Sequence, residues 1–452
     1  MRGFFAVVVM LMTSIVATAS KAASGNFPDL VIPNNYGVNI HHLSDVDGEM
    51  DAIAQSGFRI VRTDLHWANV EKSKGSFDWT PYDKLAESAK SHGLRMLFIL
   101  DYSNPVYEPL IEFKDEKARS KKNVTAPHHP ESVSAYANFA RQAAQHFKPY
   151  DPIWEIWNEP EWAMFWPPQS DVQAYIALAK ASCSAIRSSV ADATVIGPAA
   201  AKVPSAGTPS PPFLTALLAS KIGDCFSAIS IHPYLSVTKL DTVPALWQQL
   251  RDLVSAVPTS TSAPLAVSSE WGLTTVGNRV TPETQGSYLV RMMLLNQADG
   301  IPISIWYDWK DDGEDAEDPE NRFGVVDFHG QPKPAQAAMR TMTAAFTGYR
   351  FQCRREARNT TQLVFKGSSG AARKLAVWNV GNGISAWKVD PADEMRLSFI
   401  DFPNLDEVKD LLGHPVSVTK SGNDFWILKG GLQPFYFDLK PGSGPCAHAT
   451  AE

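Results

Sequence analysis

Residues 153–160 read IWEIWNEP. Apolar and aromatic side chains fill most of this stretch, which predicts a buried β-strand that ends at Asn158 and Glu159. Pro160 ends the strand, because proline has no backbone N–H to donate to a neighbouring strand. A carboxylate at the end of a buried strand is costly unless it is paired or has a chemical role. The stretch therefore predicts a sheet with a functional acid at its edge.

The chain from about residue 37 to residue 346 alternates short β-branched or aromatic runs with helical patterns, which indicates βα units and a parallel sheet. Eight strands are predicted: Gly37–His41, Arg59–Asp64, Arg95–Asp101, Ile153–Asn158, Val195–Gly197, Ala228–His232, Leu265–Glu270 and Ser304–Asp308. Eight strands with eight crossovers predict an α/β fold, the (β/α)8 TIM barrel. An open doubly wound sheet is the alternative, but it requires a glycine-rich turn after the first strand, where residues 39–42 read NIHH.

The pattern changes after Phe346. Short strands separated by turn residues predict an all-β sandwich, with strands at Leu363–Lys366, Leu375–Val380, Arg396–Ile400, Val416–Thr419, Phe425–Leu428 and Phe435–Leu439. A sugar-binding module is the alternative, but the sandwich follows the barrel without a linker rich in Gly, Ser or Pro, so we expect a structural domain that packs on the barrel. The predicted organisation is a signal peptide at 1–23, the barrel at 24–346, the sandwich at 347–446 and a tail at 447–452.

The N-terminus has the pattern of a cleavable secretory signal. Met1-Arg2 precedes a nearly unbroken run of apolar and small residues from Phe4 to Ala19. A membrane anchor is the alternative, but the run is shorter than the roughly 20 residues that span a bilayer. No later segment is long and apolar enough to span one. The sequence therefore predicts a secreted or periplasmic protein.

Four cysteines follow the signal, and an even number in an exported protein suggests two disulfides. Three pairings are possible. Cys183–Cys225 with Cys353–Cys446 is preferred, because each bridge then stays within one domain. The spacing contains no CxxC element, which argues against a zinc site.

Charge and motif content narrow the partners. With 48 acidic and 41 basic side chains, the chain has no basic excess for binding nucleic acid. Four histidines stand in adjacent pairs but have no acidic partners at a ligand spacing: His41, His42, His128 and His129. We therefore predict no metal and no cofactor, and the oligomeric state stays open.

A second stretch, residues 265–272, reads LAVSSEWG and repeats the design of an apolar strand that ends in a carboxylate, Glu270. By count, Glu159 and Glu270 follow strands four and seven, so they face each other across the barrel mouth. Two carboxylates about 5 Å apart suit a double displacement at a sugar's anomeric carbon with retention of configuration. One attacks the carbon, while the other protonates the leaving oxygen and then activates water.

These two motifs, WNEP at 157–160 and SEWG at 269–272, resemble those of glycoside hydrolase clan A. Within the clan the chain resembles family 39 most, a family of β-xylosidases, α-L-iduronidases and biofilm-exopolysaccharide hydrolases. The supporting segments are FRIVRTDLHWANVE at 58–71, ISIHPY at 229–234 and NRFGVVDFHGQPKPA at 321–335. The resemblance extends over nearly the whole mature chain.

The resemblance implies roles for individual residues. Glu159 is the expected acid/base and Glu270 the expected nucleophile. Asn158 is expected to hydrogen-bond the sugar 2-hydroxyl. Arg62 is expected to keep the nucleophile ionised, because an adjacent cation lowers the pKa of a carboxylate. A structural salt bridge is the alternative for Arg62.

His232 and Tyr234 are expected to contact the nucleophile, and Trp306 resembles the aromatic platform of subsite −1. A core histidine is the alternative for His232. Glu155 lies within its strand and is read as a buried, hydrogen-bonded acid. Further candidates for the cleft are Trp67, Trp162, Trp166, Trp271, Asp64, Asp101 and Asp308. For each tryptophan a position in the core or at the rim is the alternative.

The predicted function is a retaining glycoside hydrolase that acts on a carbohydrate, with endo-action on an extracellular polysaccharide favoured. The alternatives are an exo-acting, β-xylosidase-like glycosidase, a transglycosylase and a non-catalytic sugar-binding protein. Long loops after strands three and eight, Ser103–Pro130 and Trp309–Phe323, lie on the face where barrel active sites form.

Overall fold

The structure is a computed structural model that describes residues 25–41, 43, 45–205, 209–256, 263–278, 280–357, 360–368, 370, 372–380, 394–398, 407–422, 425–429, 433–440 and 446. The predicted signal peptide, the tail and His42 lie outside these residues. Among the helices that are described, none is long and apolar enough to cross a membrane.

Eight parallel strands close into the predicted barrel. They are β1 (Tyr36–Asn39), β2 (Ile60–His66), β3 (Arg95–Asp101), β6 (Ile153–Ile156), β7 (Thr194–Ala200), β8 (Ala228–Ile231), β9 (Leu265–Ser268) and β10 (Ser304–Trp306). Going round the barrel, β1 pairs with β10, and then follow β9, β8, β7, β6, β3 and β2. The fold class is confirmed. Because β6 and β9 end before the two glutamates, Glu159 and Glu270 stand just beyond the ladder, at the barrel mouth.

Helices cover the outside of the barrel. They are α1 (Val46–Gln55), α2 (Trp67–Val70), α3 (Thr80–Ser91), α4 (Pro130–His146), α5 (Val172–Ser189), α6 (Pro212–Ala219), α7 (Val243–Ser255), α8 (Pro282–Ala298) and α9 (Pro334–Phe346). Proline stands in the first turn of six of them, where its missing N–H costs nothing: α3, α4, α6, α7, α8 and α9.

The long loop after β3 contains a hairpin that was not predicted. Strands β4 (Leu110–Lys114) and β5 (Ser120–Val124) pair antiparallel, and Leu110 lies opposite Val124. Asp115 closes the turn by accepting backbone hydrogen bonds from Lys117 and Arg119. Only a long loop, Ser103–Pro130, was predicted here, because many side chains of the hairpin are charged and do not give the apolar pattern of a buried strand.

The C-terminal part forms two antiparallel sheets. One consists of β11 (Tyr349–Ala357), β12 (Thr360–Gly367), β13 (Arg373–Asn379) and β17 (Phe435–Leu439), and the other of β14 (Glu394–Ser398), β16 (Phe425–Lys429) and β15 (Val418–Ser421). Side chains from both sheets share one buried cluster, among them Leu375, Leu397, Leu428 and Phe437. The predicted sandwich is confirmed, with β11 as an added strand.

The sandwich packs directly on the barrel. Phe346 at the end of α9 lies 4.8 Å, ring centre to ring centre, from Phe365 of β12. The cysteines pair as preferred: the Cα atoms are 5.9 Å apart in Cys183–Cys225 and 6.4 Å apart in Cys353–Cys446. Both separations lie within the disulfide range.

Candidate active site

The backbone before Glu159 leaves the strand in a sharp turn. Trp157 has a φ of 67° and Glu159 a φ of 45°, a left-handed conformation that costs a non-glycine residue on the order of 1 kcal/mol or more. The Glu159 N–H donates to the Ala199 carbonyl on the neighbouring strand β7, at 3.2 Å. The turn brings the Glu159 carboxylate into the barrel mouth instead of letting it follow the strand.

The two predicted catalytic carboxylates lie next to each other. His232, at the end of β8, places its Nδ1 atom 2.8 Å from Glu159 Oε1 and 3.8 Å from Glu270 Oε1. One oxygen of Glu159, one nitrogen of His232 and one oxygen of Glu270 all lie within 4.8 Å of one another. This spacing fits a retaining pair, whose carboxyl groups are about 5 Å apart, and leaves too little room for the water of an inverting pair.

Arg62, on β2, connects the polar side chains beneath this pair. Its Nε donates to Glu155 Oε2 and its Nη1 to Glu270 Oε2, both at 2.8 Å. Nη1 also donates to Asn39 Oδ1 and Nη2 to Asn158 Oδ1, both at 2.9 Å. Since the guanidinium is almost fully buried, these bonds fix it in place and orient every acceptor around it.

The environment of Glu270 favours its ionised form. Burial alone would raise the pKa of this carboxyl, but the charges of His232 and Arg62 outweigh burial and lower the pKa below its usual value. The Tyr234 hydroxyl adds a hydrogen bond to Glu270 Oε1 at 2.5 Å. A carboxylate kept ionised beside a sugar is suited to attack its anomeric carbon.

A cavity of about 410 Å³ opens above these groups. Its lining consists of Asn39, His41, Arg62, Asp64, Ile99, Tyr102, Asn158, Glu159, Phe165, Tyr234, Glu270, Tyr307, Glu320 and Phe323. Apolar rings and polar groups are thus combined, as expected of a site for a ligand with both hydroxyl groups and apolar faces.

The structure corrects the expectation for Trp306. Its side chain is fully buried in the core and does not line the cavity, so it cannot offer a face to a sugar. Successive side chains of a strand point to opposite sides, and the ring that lines the cavity is the next one, Tyr307. The Tyr307 hydroxyl donates to Glu320 at 2.8 Å.

Other expected cleft residues divide into two groups. Trp67, Trp166 and Trp271 are buried in the core, and Trp162 is half-buried and does not line the cavity. Asp64 lines the cavity, whereas Asp101 and Asp308 are buried beside it. Glu155 is the buried, hydrogen-bonded acid that was expected.

Asn39, Tyr102, Phe165, Glu320 and Phe323 line the cavity but were not singled out from the sequence. Asn39 could have been found, since it ends the first strand as Asn158 follows the fourth. Glu320 belongs to an acidic loop in which no spacing distinguishes one carboxylate from another.

Two histidine clusters also differ from expectation. His41 lies 2.9 Å from Asp312 and 3.7 Å from Asp308, and both imidazoles of His128 and His129 lie near Glu108. These acids come from distant parts of the chain, so their proximity could not be read from sequence spacing. The prediction that these histidines have no acidic partners at a ligand spacing rested on sequence positions alone, and for His41, His128 and His129 the fold supplies such partners.

Comparison with known families agrees with this geometry. The family model described as cellulase (glycosyl hydrolase family 5) matches residues 32–313, which is more than half of the chain. The chain belongs to this family. Family 5 lies within clan A, so the protein is a glycosidase of a clan whose enzymes retain configuration. No curated protein matches this glycosidase by sequence.

Solved structures with the same fold include several family 39 enzymes. A family 39 glycoside hydrolase from Bacteroides cellulosilyticus WH2 has a TM-score of 0.75 at 22% identity, over 92% of this chain and 82% of that one. A GH39 enzyme from Xanthomonas axonopodis pv. citri has a TM-score of 0.65 at 16% identity, over 96% and 99% of the two chains. A monomeric β-xylosidase from Caulobacter crescentus CB15 has a TM-score of 0.63 at 15% identity, over 92% and 98%. The predicted likeness to clan A and to family 39 is confirmed.

Proposed function

We propose that the glycosidase cleaves a polysaccharide internally and with retention, outside the cytoplasm, with Glu159 as acid/base and Glu270 as nucleophile. The observation that carries the assignment of roles is the placement of Arg62. It donates to Glu270 and not to Glu159, so a permanently charged group holds Glu270, whereas the contact of Glu159 is with His232, a side chain that can itself gain and lose a proton.

In the first step, a Glu270 oxygen forms a bond to the anomeric carbon as the bond from that carbon to the leaving oxygen breaks. Glu159 gives its proton to the leaving oxygen. In the second step, water attacks the same carbon, Glu159 takes a proton from the water, and the bond to Glu270 breaks. The sugar leaves with its original configuration, and both carboxyl groups return to their starting state.

Asn158 is placed to bind the substrate. Its Oδ1 atom accepts from Arg62 Nη2, which leaves the amide Nδ2 as a donor in the cavity. A sugar 2-hydroxyl next to the anomeric carbon can accept this bond, and such bonds strengthen in the transition state.

Internal cleavage is favoured by a second cavity of about 410 Å³ that shares His41 with the first. Trp309 and Phe328 line it, and the Phe328 ring is 44% exposed, so it offers an apolar face to a sugar ring. Going round the barrel, β10 lies opposite β6, which positions Glu159. The leaving group departs on the Glu159 side. The part of the polysaccharide that stays attached to the reacting sugar continues in the opposite direction, and the second cavity lies there.

Export is favoured by the sequence of residues 1–23 and by two cysteine pairs at disulfide distance, because disulfides persist in oxidising compartments. Because a GH39 β-xylosidase from Caulobacter crescentus shares the fold, an exo-acting, β-xylosidase-like glycosidase is the second candidate.

The action pattern tests the proposal. A panel of neutral and charged polysaccharides is incubated with the enzyme, and the products are sized at low conversion. Internal cleavage gives a ladder of oligosaccharides and a rapid fall in viscosity, and products longer than an oligosaccharide substrate would instead identify a transglycosylase. Release of a monosaccharide alone contradicts the proposal.

The Phe328→Ala variant should slow the cleavage of long substrates several-fold. Leu265→Ala is the matched control, because Leu265 is 44% exposed but stands at the start of β9, at the opposite end of the barrel. Equal losses in both variants would contradict a role for the second cavity.

A further inference from the structure

The long loop after β3 is closed at its base by a cluster outside the active site. Glu108 lies before the β4–β5 hairpin, and His128 and His129 lie after it, immediately before α4. Glu108 and His128 are 20 residues apart in sequence. One side-chain ligand atom from each of these three residues lies within 4.8 Å of the others.

Glu108 is a buried carboxylate with one oxygen left over. Its side chain is almost completely buried. Oε1 accepts hydrogen bonds from Ser132 Oγ at 2.5 Å and from the His128 backbone N–H at 3.3 Å. Oε2 has no hydrogen-bond partner among the described residues, and its neighbour on the open side is His129 Nε2 at 4.0 Å. An acceptor that is buried and unpaired is costly, so a ligand that binds Oε2 would recover this energy.

The two imidazoles cover the open side of this carboxylate. Their ring centres are 3.9 Å apart, and His128 Nδ1 lies 3.6 Å from Glu108 Oε1. Both histidine side chains are exposed, whereas the carboxylate is buried. His128 Nδ1 also lies 2.9 Å from the Ala126 carbonyl oxygen, a hydrogen bond that metal binding through this nitrogen would replace. Two exposed imidazoles thus lie beside one buried carboxylate oxygen.

We propose that Glu108, His128 and His129 form a binding site for a divalent transition-metal ion, with Zn²⁺ as the best match. Zinc binds imidazole nitrogen and carboxylate oxygen at about 2.0–2.2 Å, so small rotations of the two imidazoles would complete three ligands, with water as the fourth. Imidazole ligands disfavour Mg²⁺ and Ca²⁺, which prefer oxygen. The ion would join the two ends of the loop and stiffen the β4–β5 hairpin at the mouth of the barrel.

The test is a titration of the full-length, metal-free protein with ZnCl₂, followed by calorimetry. His129→Ala should either bind one equivalent of Zn²⁺ fewer than wild type, or bind one of its equivalents at least about tenfold more weakly. Zn²⁺ should also raise the thermal midpoint of wild type more than that of the variant. Glu108→Gln, which keeps the volume of the buried side chain, should lose the same equivalent.

His329→Ala is the matched control, because His329 is exposed and lies 3.0 Å from Glu314 but has no third ligand among the clusters of described residues. It should bind Zn²⁺ as wild type does. If His129→Ala binds the same number of equivalents with the same affinity as wild type, or if MgCl₂ displaces the zinc equally well, the proposed site does not exist. Glycosidase activity is measured in parallel and does not enter the outcome, since the cluster lies outside the catalytic cavity.

Discussion

The two ends of the barrel interior are built on the same strands from opposite kinds of side chain. At the lower end, eight apolar side chains form one buried cluster: Ile60, Leu97, Ile153, Ile196, Ala228, Val267, Ile303 and Ile305. At the mouth, Arg62 follows Ile60 by two residues on β2, and Glu155 follows Ile153 by two residues on β6. Residues two apart on a strand face the same side. On β2 and on β6, the side that faces the barrel interior thus changes from an apolar to a charged side chain between two successive inward-facing residues.

The lower end of the barrel interior contributes mainly to the stability of the fold, and the mouth carries the groups proposed for the reaction. Burying each large side chain of the lower cluster stabilises the fold by about 1.5–3 kcal/mol. Arg62, Glu155 and Glu270 lose their hydration on burial, and their mutual attraction offsets this loss only because their geometry is good. Apolar side chains of similar volume can often replace such buried charges without loss of stability, so stability does not explain the charges at the mouth, whereas the proposed reaction requires them.

The largest effect is expected at the mouth. Glu270→Gln removes the proposed nucleophile and should lower kcat by several orders of magnitude, since an amide cannot form the covalent intermediate. The measurement is kcat on the best substrate, with circular dichroism to establish that the variant is folded. Glu320→Gln is the matched control, because Glu320 is another carboxylate that lines the catalytic cavity. This variant should lose far less activity. Equal losses would overturn the assignment of Glu270.

A smaller loss of kcat is expected when Arg62 is replaced by lysine, which keeps the positive charge but not the shape of the side chain. Arg62→Lys cannot donate to Glu155, Glu270, Asn39 and Asn158 together, so kcat should fall by about 10²–10³, as for the loss of an oriented donor. Glu270 has a lowered pKa in the native protein and stays ionised as the pH falls through its usual value of 4.5. In the variant this pKa rises, so activity is lost at a higher pH.

The pH dependence of kcat/KM measures this shift. Arg59→Lys, immediately before β2, is the control, because Arg59 binds the backbone carbonyls of Ala54 and Phe58 and not the site. An acid limb that does not move in Arg62→Lys would show that Arg62 does not control the ionisation of Glu270.

Glu155→Gln should shift the pKa of Glu270 in the opposite direction from Arg62→Lys. This change removes one of the two carboxylates that share Arg62, so more of the cationic charge acts on Glu270 and lowers its pKa further. The acid limb of kcat/KM should move to lower pH, with a loss of kcat of only a few-fold. A move to higher pH, in protein that unfolds at the same urea concentration as wild type, would contradict the coupling.

The smallest effect on activity is expected at the lower end. Ile153→Val should reduce the free energy of unfolding by about 0.5–1.5 kcal/mol, through the loss of one buried methyl group. Urea denaturation measures the change, and kcat should stay as in wild type. A loss of kcat without a loss of stability would break the distinction between the two ends.

The sequence allowed the barrel strands and the positions of the two glutamates to be predicted, because each depends on a local pattern. Apolar runs predict the strands, and Glu159 and Glu270 follow directly after two of them. The contacts of Arg62 could be anticipated only through the resemblance to clan A. Local pattern did not decide which of two adjacent rings, Trp306 or Tyr307, faces the cavity, since a shift of one residue reverses the side.

Contacts between distant segments were beyond prediction. Glu108 meets His128 and His129 only because a hairpin folds the loop back on itself, and that hairpin was itself hidden by its charged residues. Asp312 reaches His41 across a separation of 271 residues. Such pairs follow from the closure of the barrel and of its loops, which no local spacing encodes.

The central claim is that Glu270 forms a bond to the anomeric carbon of the sugar, while Glu159 donates a proton to the leaving oxygen and later accepts one from water. An activated 2-deoxy-2-fluoro glycoside of the hydrolysed sugar slows the second step and traps the intermediate, and mass spectrometry of peptides then locates it. We expect one adduct per chain, on the peptide that contains Glu270, formed also by Glu159→Gln when the leaving group needs no acid. An adduct on Glu155, Glu320 or Asp64, or turnover that proceeds while Glu270 stays unmodified, would contradict the account.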